Sequence, residues 1–356
     1  MPQSDVDLLH RAARLAIRGH GCAEPNPLVG CIIANKDGIV VGEGFHEKFG
    51  EEHAEVNALA MAGDNARGGT AYVTLEPCNH QGKTPPCSHA LVNAGITRVV
   101  IGMDDPHINA SGGADFLRSN GIDVEIVHDD VCREIIAPFT HRIQTGLPWI
   151  TCKWAQTIDG CIETPKGDSP WISCKESQQV VHVERGCVDA IVVGIGTVMS
   201  DNPTLTVQNA QKFRTPLRVV IDPSLRISLE SNILNDEAPT LIAHAEGVDT
   251  SRVSSGQLLA LPSKESVLDL TPLFQHLVVE YDATHVIVEG GATLFKHIFS
   301  QNLVNELWVF TSPQESTMTP EYNMNSLVNS LSISIQSEQS CGIDSVRKYN
   351  VTTSQK

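Results

Sequence analysis

The sequence predicts two consecutive α/β domains, an α/β/α sandwich over residues 1–147 and a second α/β domain over 148–356. Three observations carry this. Helix-period and strand-period segments alternate along most of the chain. Its 356 residues exceed what a single core commonly organises and suit two. In the second half, "DAIVVGIG" and "LRVVID" are near-continuous apolar runs, as expected of strands buried on both faces of a largely parallel sheet.

Taken in order, Leu8, Leu9, Ala12, Ala13, Leu15, Ala16 and Ile17 recur at helical spacing, with Asp5 near the start and Gly19 and Gly21 at the end. "LVGCIIANKDGIVVGEGFH" reads as two strands joined by a turn at Lys36–Gly38. "EEHAEVNALAMAG" is an amphipathic helix, and "TAYVTLEP" is a strand stopped by proline. "SHALVNAG" and "GADFLRSNG" are helices, each followed by a strand, "RVVIGMDDP" and "DVEIVHDD". The order α-β-β-α-β-α-β-α-β closes the first domain near Gly146. "GLPWITCKW" opens the second, which continues through the two apolar runs, "THVIVEGGATLFKHIF" and "NELWVF". Residues 225–280 and 311–356 give no clear pattern, and the polar tail after Tyr349 is expected to fray.

Composition narrows the class. A formal net charge of −17 argues against a nucleic-acid partner, because phosphate-backbone binding needs clustered Lys and Arg. It leaves room for a small anionic substrate. The ten cysteines are scattered, several in apolar runs, so reduced thiols in a cytoplasmic protein are expected rather than a disulfide scaffold. The start "MPQSDVDLLHRAARLAIRGHG" lacks a signal-peptide pattern, and no apolar run approaches the ~18 residues of a membrane span.

Chemistry concentrates in the first half. His53-Ala54-Glu55 opens a helix, and "LEPCNHQGKTPPC" supplies Cys78 and Cys87. One imidazole and two thiolates suit tetrahedral Zn2+ and leave a fourth position for water, whose pKa the metal lowers toward ~7. Glu55 is then the proton-shuttling carboxylate. Residues i and i+2 do not share a helix face, so both reach one metal only if the helix starts at about His53. H-x-E followed by P-C and a second cysteine is the pattern of zinc nucleobase deaminases. The cysteine spacing departs from it: eight residues intervene instead of two. Cys78 is therefore expected at a strand end and Cys87 at a helix start. The loop between them carries His80, Lys83 and Thr84, which either meet a polar substrate or face solvent.

The second half gives weaker signals. "VVGIGTVM" lacks the third glycine of the dinucleotide fingerprint, so a Rossmann site is a poor reading. "VIVEGGATLF" runs from a strand through Gly290-Gly291 into a helix, whose N-terminus favours phosphate; a plain tight turn is the alternative.

Together "PNPLVGCII", "GEGFHEKFGEEHAEVNAL", "AYVTLEPCNHQGKTPPCSHAL" and "RVVIGMDDP" resemble the deaminase half of the bifunctional riboflavin-biosynthesis deaminase/reductase family, where the widened cysteine spacing is usual. "CKWAQTIDGCIE", "GDSPWIS", "HVERGCVDAIVVGIGTVMSDNPTLT", "LRVVID" and "VEGGATL" resemble its reductase half, in the same order. The resemblance implies a cytidine-deaminase-like α/β/α sandwich followed by a dihydrofolate-reductase-like α/β domain. It implies zinc on His53, Cys78 and Cys87, Glu55 as catalytic acid/base, and Asn26 against the pyrimidine. It implies NADPH at Ala155, Trp171, Thr197, Asp201 and the run Gly291, Ala292, Thr293, Leu294, Phe295, Lys296 and His297. Substrate positions fall on Ser169, Arg185, Leu205 and Glu289, with Arg185 a sensible phosphate partner. Lys153 lies in the reductase motif and is read as a cation near the opening ribose oxygen, or else as a strand-edge lysine. His46 lies in a family motif without an assigned role.

Three departures bear on the reductase. Gln208 replaces a second phosphate-facing arginine, which Lys212 or Arg214 could replace. Pro223 stands where Ser or Thr is usual, and "TSPQESTMTPEYN" replaces the segment expected after "ELWVF". Family membership implies hydrolytic deamination of a phosphorylated ribosylaminopyrimidine by zinc-activated hydroxide, then NADPH reduction of ribosyl to ribityl. It also implies a homodimer or homotetramer. The alternatives are a zinc deaminase of another base or nucleoside with an inactive C-terminal domain, and a catalytically inert zinc-stabilised binding protein.

Overall fold

A computed structural model describes residues 4–80, 85–107, 111–163, 171–253, 255–264, 267–316 and 323–352. The chain divides into two compact units, Met1–Gly146 and Leu147–Lys356.

The first unit contains helices α1 (Asp5–Ala16), α2 (Ala54–Ala62), α3 (Cys87–Ala94), α4 (Gly113–Ser119) and α5 (Asp130–Thr145). Its strands are β1 (Gly30–Ala34), β2 (Val40–Phe45), β3 (Thr70–Val73), β4 (Arg98–Ile101) and β5 (Asp123–Ile126). They form one sheet in the order β2-β1-β3-β4-β5. Strand β1 is antiparallel to both neighbours, while β3, β4 and β5 run parallel. Alternation along the strands divides the core between two faces. Cys31, Ile33, Val99 and Ile101 pack with Ala58 of α2 and Leu91 of α3, whereas Ile32, Ala34 and Val100 pack with Leu9 of α1 and Cys132 of α5. The sandwich and its element order match the expectation, with α5 as an additional sixteen-residue helix.

Close backbone approach explains the glycines of "VVGEGF". A Cβ on Gly44 would lie 2.4 Å from the Ala54 carbonyl oxygen, so only glycine lets α2 settle onto β2. This contact holds the start of α2, and with it His53 and Glu55, against the sheet.

The second unit contains β6 (Trp149–Thr157), α6 (Lys175–Arg185), β7 (Ala190–Gly194), α7 (Ile195–Asp201), β8 (Leu217–Ile221), β9 (Thr240–Ala245) and β10 (Gln257–Leu261). Then follow the short pair β11 (Ser263–Lys264) and β12 (Val267–Leu268), α8 (Thr271–Tyr281), β13 (His285–Glu289), α9 (Ala292–Ser300), β14 (Glu306–Ser312), α10 (Met324–Asn329), β15 (Ile333–Cys341) and β16 (Asp344–Val351). The nine-stranded sheet has the order β10-β9-β8-β7-β13-β6-β14-β16-β15. Pairing is parallel from β10 to β14, and β16 and β15 add as an antiparallel hairpin. Both faces of its central strands are buried, Val192 and Val219 on one side and Ile191 and Val220 on the other. The fraying expected after Tyr349 is corrected for its first residues: Asn350 and Val351 belong to β16 and pair with Glu306 of β14 and Ile333 of β15, and residues 353–356 lie outside the described residues. Polar composition misled there, because backbone pairing with β14 and β15 holds this strand whatever its side chains.

Candidate active sites

In the first unit, His53 is the N-cap of α2, with extended backbone at φ −76° and ψ 165°. The helix thus starts where a shared site required. Because the N-cap leaves the helical path, His53 and Glu55 can converge although they are two residues apart. Cys87 is the first residue of α3. Cys78 lies five residues past the end of β3 rather than at the strand end as expected, since the sheet pairing stops at Val73. Two amides of the first turn of α3 turn toward it: Cys87 N–H donates to the Cys78 sulfur at 3.4 Å and Ser88 N–H to the Cys78 carbonyl at 3.2 Å. Pro86, the N-cap of α3, has no side chain to do this. The positive end of α3 thus faces a thiolate.

His53 Nδ1 lies 3.6 Å from Cys78 Sγ and 3.3 Å from Cys87 Sγ. A tetrahedral ion with ordinary Zn–S and Zn–N distances separates its nitrogen and sulfur ligands by about 3.5 Å. The three donors fit Zn2+ without rearrangement. A hydrogen bond from the Cys87 thiol, against the opposing effect of burial and with help from His53, brings Cys78 down to about 4. Burial, and then the Cys78 charge, pushes the Glu55 carboxyl up to about 7. All ten cysteines are free thiols.

His53, Glu55 and Cys78 line a cavity of about 380 Å³. Asn26 and His46 line one side of it. His46 Nδ1 lies 3.1 Å from the Glu52 carbonyl oxygen, which can only accept, so the ring proton sits on Nδ1. Its Nε2 then accepts from Asn26 Nδ2 at 3.1 Å. Burial lowers the pKa of His46 and keeps the ring neutral.

Glu76, in the middle of "LEPC", went unassigned in the sequence and proves central. Its carboxylate accepts from the backbone N–H groups of Gly112 (3.1 Å), Ala114 (2.9 Å) and Asp105 (3.3 Å), fixing the chain around the start of α4 beside Cys78. A Cβ on Gly113 would lie 1.8 Å from the Pro77 oxygen, so glycine is required for this approach. Asp105 and His107 thereby reach the cavity wall. An acid directly before a ligand-bearing Pro-Cys was the one available sequence signal. His80 lines the cavity from an exposed position, and Lys83 and Thr84 lie outside the described residues.

In the second unit, Lys153 and Glu289 are register partners on β6 and β13. Lys153 Nζ lies 3.6 Å from Glu289 Oε2. Arg185, the last residue of α6, donates Nε to Oε1 at 2.7 Å and Nη2 to Oε2 at 2.9 Å. Burial pushes the Glu289 carboxyl up, but Arg185 and Lys153 outweigh it and hold it at about 2. Three predicted residues thus form one buried charge cluster, in which part of the Arg185 fork is engaged by Glu289. Arg214 is paired with Asp189 and so is not a spare cation for the missing arginine at 208. Gln208 itself donates its backbone N–H to His182 Nδ1 at 3.2 Å.

Several of the other reductase positions follow the C-terminal ends of parallel strands, where open α/β sheets bind ligands. Thr197 and Asp201 lie on α7, which follows β7, and Gly291 is the N-cap of α9, with no side-chain cap over its first-turn amides. Asp222, just past β8, is buried, with Oδ1 lacking a hydrogen-bond partner. An uncapped helix start and an unsatisfied acceptor at this edge fit a dinucleotide bearing phosphates and hydroxyls. Within the predicted run the side chains divide. Ala292, Leu294 and Phe295 are buried, Phe295 against Trp154, and His297 is bonded to the Leu268 carbonyl oxygen, whereas Thr293 and Lys296 are exposed. Leu205 has φ +51° and a side chain in the core, leaving its backbone for a ligand. Ala155 is half-buried on β6, Trp171 is exposed, and Ser169 lies outside the described residues.

Both units have known relatives. Residues 2–103 match the cytidine and deoxycytidylate deaminase zinc-binding region, and residues 148–315 match the RibD C-terminal domain. The chain is 37% identical over 351 residues to the riboflavin biosynthesis protein RibD of Aquifex aeolicus, covering 96% of this chain and 97% of that one. It is 37% identical to RibD of Escherichia coli, covering 87% and 88%. Among solved structures, Acinetobacter baumannii RibD superposes with a TM-score of 0.82 at 32% identity, covering 98% of this chain and 99% of that one. A deaminase/reductase from Thermotoga maritima gives 0.82 at 29%, covering 97% and 98%.

Proposed function

The chain belongs to the RibD family of riboflavin-biosynthesis proteins, and on that premise we propose how the residues assembled above carry its two reactions. It is a bifunctional deaminase and reductase of a small molecule and uses Zn2+ and NADPH. The substrate is 2,5-diamino-6-ribosylamino-4(3H)-pyrimidinone 5′-phosphate, which loses its amino group at C2 before its ribosyl group is reduced to ribityl.

The observation that carries the first step is the spacing of His53 Nδ1, Cys78 Sγ and Cys87 Sγ, with Glu55 buried beside them. Zinc bound there supplies the Lewis acidity that makes water nucleophilic at neutral pH. Glu55 takes a proton from the attacking water and returns it to the departing amino nitrogen, which leaves as ammonia. Burial raises the Glu55 carboxyl above the ordinary carboxylate range, which suits a group that both takes up and returns a proton. Asn26, its NH2 group engaged by His46, offers its carbonyl oxygen to an N–H of the pyrimidine.

For the second step NADPH supplies the two-electron reduction at C1′. Ala155, Trp171, Thr197, Asp201 and the first turn of α9 hold the cofactor. Lys153 places its ammonium beside the ribose ring oxygen as the C1′–O bond opens. Glu289 positions Lys153 and Arg185, whose remaining N–H groups face the sugar phosphate with Ser169 and the Leu205 backbone. No helix among the described residues is long and apolar enough to cross a membrane, and the working form is read as a cytoplasmic homo-oligomer, which light scattering tests.

Incubation with the diaminopyrimidinone phosphate, with and without NADPH, tests the whole reading. Ammonia is expected in both cases, and NADPH oxidation only after deamination. Ammonia without NADPH consumption sinks the reductase half, and no ammonia sinks the deaminase half.

A further inference from the structure

Where two ligating cysteines stand in Cys-x-x-Cys spacing, the short link between them limits how far the sulfurs can part. Here eight residues separate Cys78 from Cys87. Closing a loop of that length on a metal costs conformational entropy, unless other bonds have already set the distance between its ends.

Such bonds are present on both sides of Cys78. Upstream, Glu76 is pinned by the amides of Asp105, Gly112 and Ala114. Downstream, the start of α3 reaches back. Cys87 N–H donates to the Cys78 sulfur and Ser88 N–H to the Cys78 carbonyl, contacts that any residue at 88 but proline could keep. A third bond depends on side chains: Ser88 Oγ donates to Asn79 Oδ1 at 2.9 Å. It ties the residue after one thiol directly to the residue after the other. Ser88 is fully buried, so water does not compete for its hydroxyl. Neither Ser88 nor Asn79 is among the described residues that line the cavity, so both act through the thiols beside them. We propose that the Ser88–Asn79 hydrogen bond is a latch that holds Cys78 and Cys87 at zinc-binding separation before the metal arrives. Ser88 and Asn79 are then positioning residues of the deaminase site. This rests on the deaminase reading above.

A competing role exists, because Ser88 lies in the first turn of α3 and its loss could merely weaken that helix. Metal affinity of the full chain separates the two. Zn2+ is titrated in competition with a chelator of known affinity, and urea unfolding is followed on the zinc-free chain. Ser88→Ala and Asn79→Ala should each raise the Zn2+ Kd about tenfold, the usual cost of losing a group that orients a metal ligand. The double variant should bind no more weakly than either single one, since both remove the same bond. Asn79→Asp, which keeps the acceptor, should recover most of the affinity. Lower stability of the zinc-free variants with an unchanged Kd would assign Ser88 to helix packing and overturn the proposal, as would additive losses in the double variant. Co2+ in place of Zn2+ tests the premise separately. If the unmodified chain binds it without thiolate-to-metal charge-transfer absorption, the Cys78–Cys87 site and the deaminase reading itself fall.

Discussion

Asn26 Nδ2 lies 3.1 Å from His46 Nε2, and the opposite ring nitrogen of His46 is fixed by the Glu52 carbonyl oxygen. This chain of hydrogen bonds sets which end of the Asn26 amide faces the cavity. His46→Ala should free that amide to rotate and raise the deaminase KM about tenfold, the worth of one oriented hydrogen bond. His46→Gln, which keeps an acceptor for Asn26, should recover part of the loss. Steady-state ammonia release checks both, and an unchanged KM in His46→Ala would remove the orienting role.

Glu55→Gln keeps the shape of the side chain and removes its proton chemistry. Deamination should fall by about 10²–10⁴, with zinc content unchanged by elemental analysis. The reductase, supplied with already deaminated substrate, should run at its normal rate. A variant that retains full turnover would revive the reading of an inert zinc-binding protein.

Zinc removal should separate the two activities. Cys78→Ser, or dialysis against a chelator, should abolish metal binding and deamination while NADPH oxidation with deaminated substrate persists, because every proposed reductase residue lies in the second unit. Metal analysis and the two assays on one preparation decide this, and parallel loss of both activities would contradict it.

The cluster around Glu289 should appear in acid stability. Its folded carboxyl at about 2 lies below the ordinary 4.5, so the folded state binds fewer protons than the unfolded chain between these values. Its contribution, about 3 kcal/mol, is complete above the ordinary value and is lost as pH falls through the folded one. Glu289→Gln should flatten this acid limb. It should also lower stability at pH 7 by about 3 kcal/mol or more, since Arg185 and Lys153 lose their buried partner. Urea unfolding of the second unit across this range measures both, and identical pH profiles would show that the cluster does not couple to folding.

The sequence by itself determined two α/β domains, their strand and helix order in the first unit, and the candidate ligands His53, Cys78 and Cys87 with Glu55. Those features are local. Hydrophobic period reports burial within a few residues, and His-x-Glu at a helix start needs only a local N-cap to converge. Only the tertiary structure decided what lies between distant segments. Glu76 gathers amides 29, 36 and 38 residues onward, beyond any periodic signal. Arg185, at the end of helix α6, meets Glu289, at the end of strand β13, across 104 residues, a pairing that only the packing of helix on sheet creates. Helix α5 forms around an internal Pro138, and the same stripe of side chains serves the core at one end and the cavity at the other. Polar strands at the C-terminal edge were illegible for a related reason. Their stability comes from backbone pairing with partners that composition does not name.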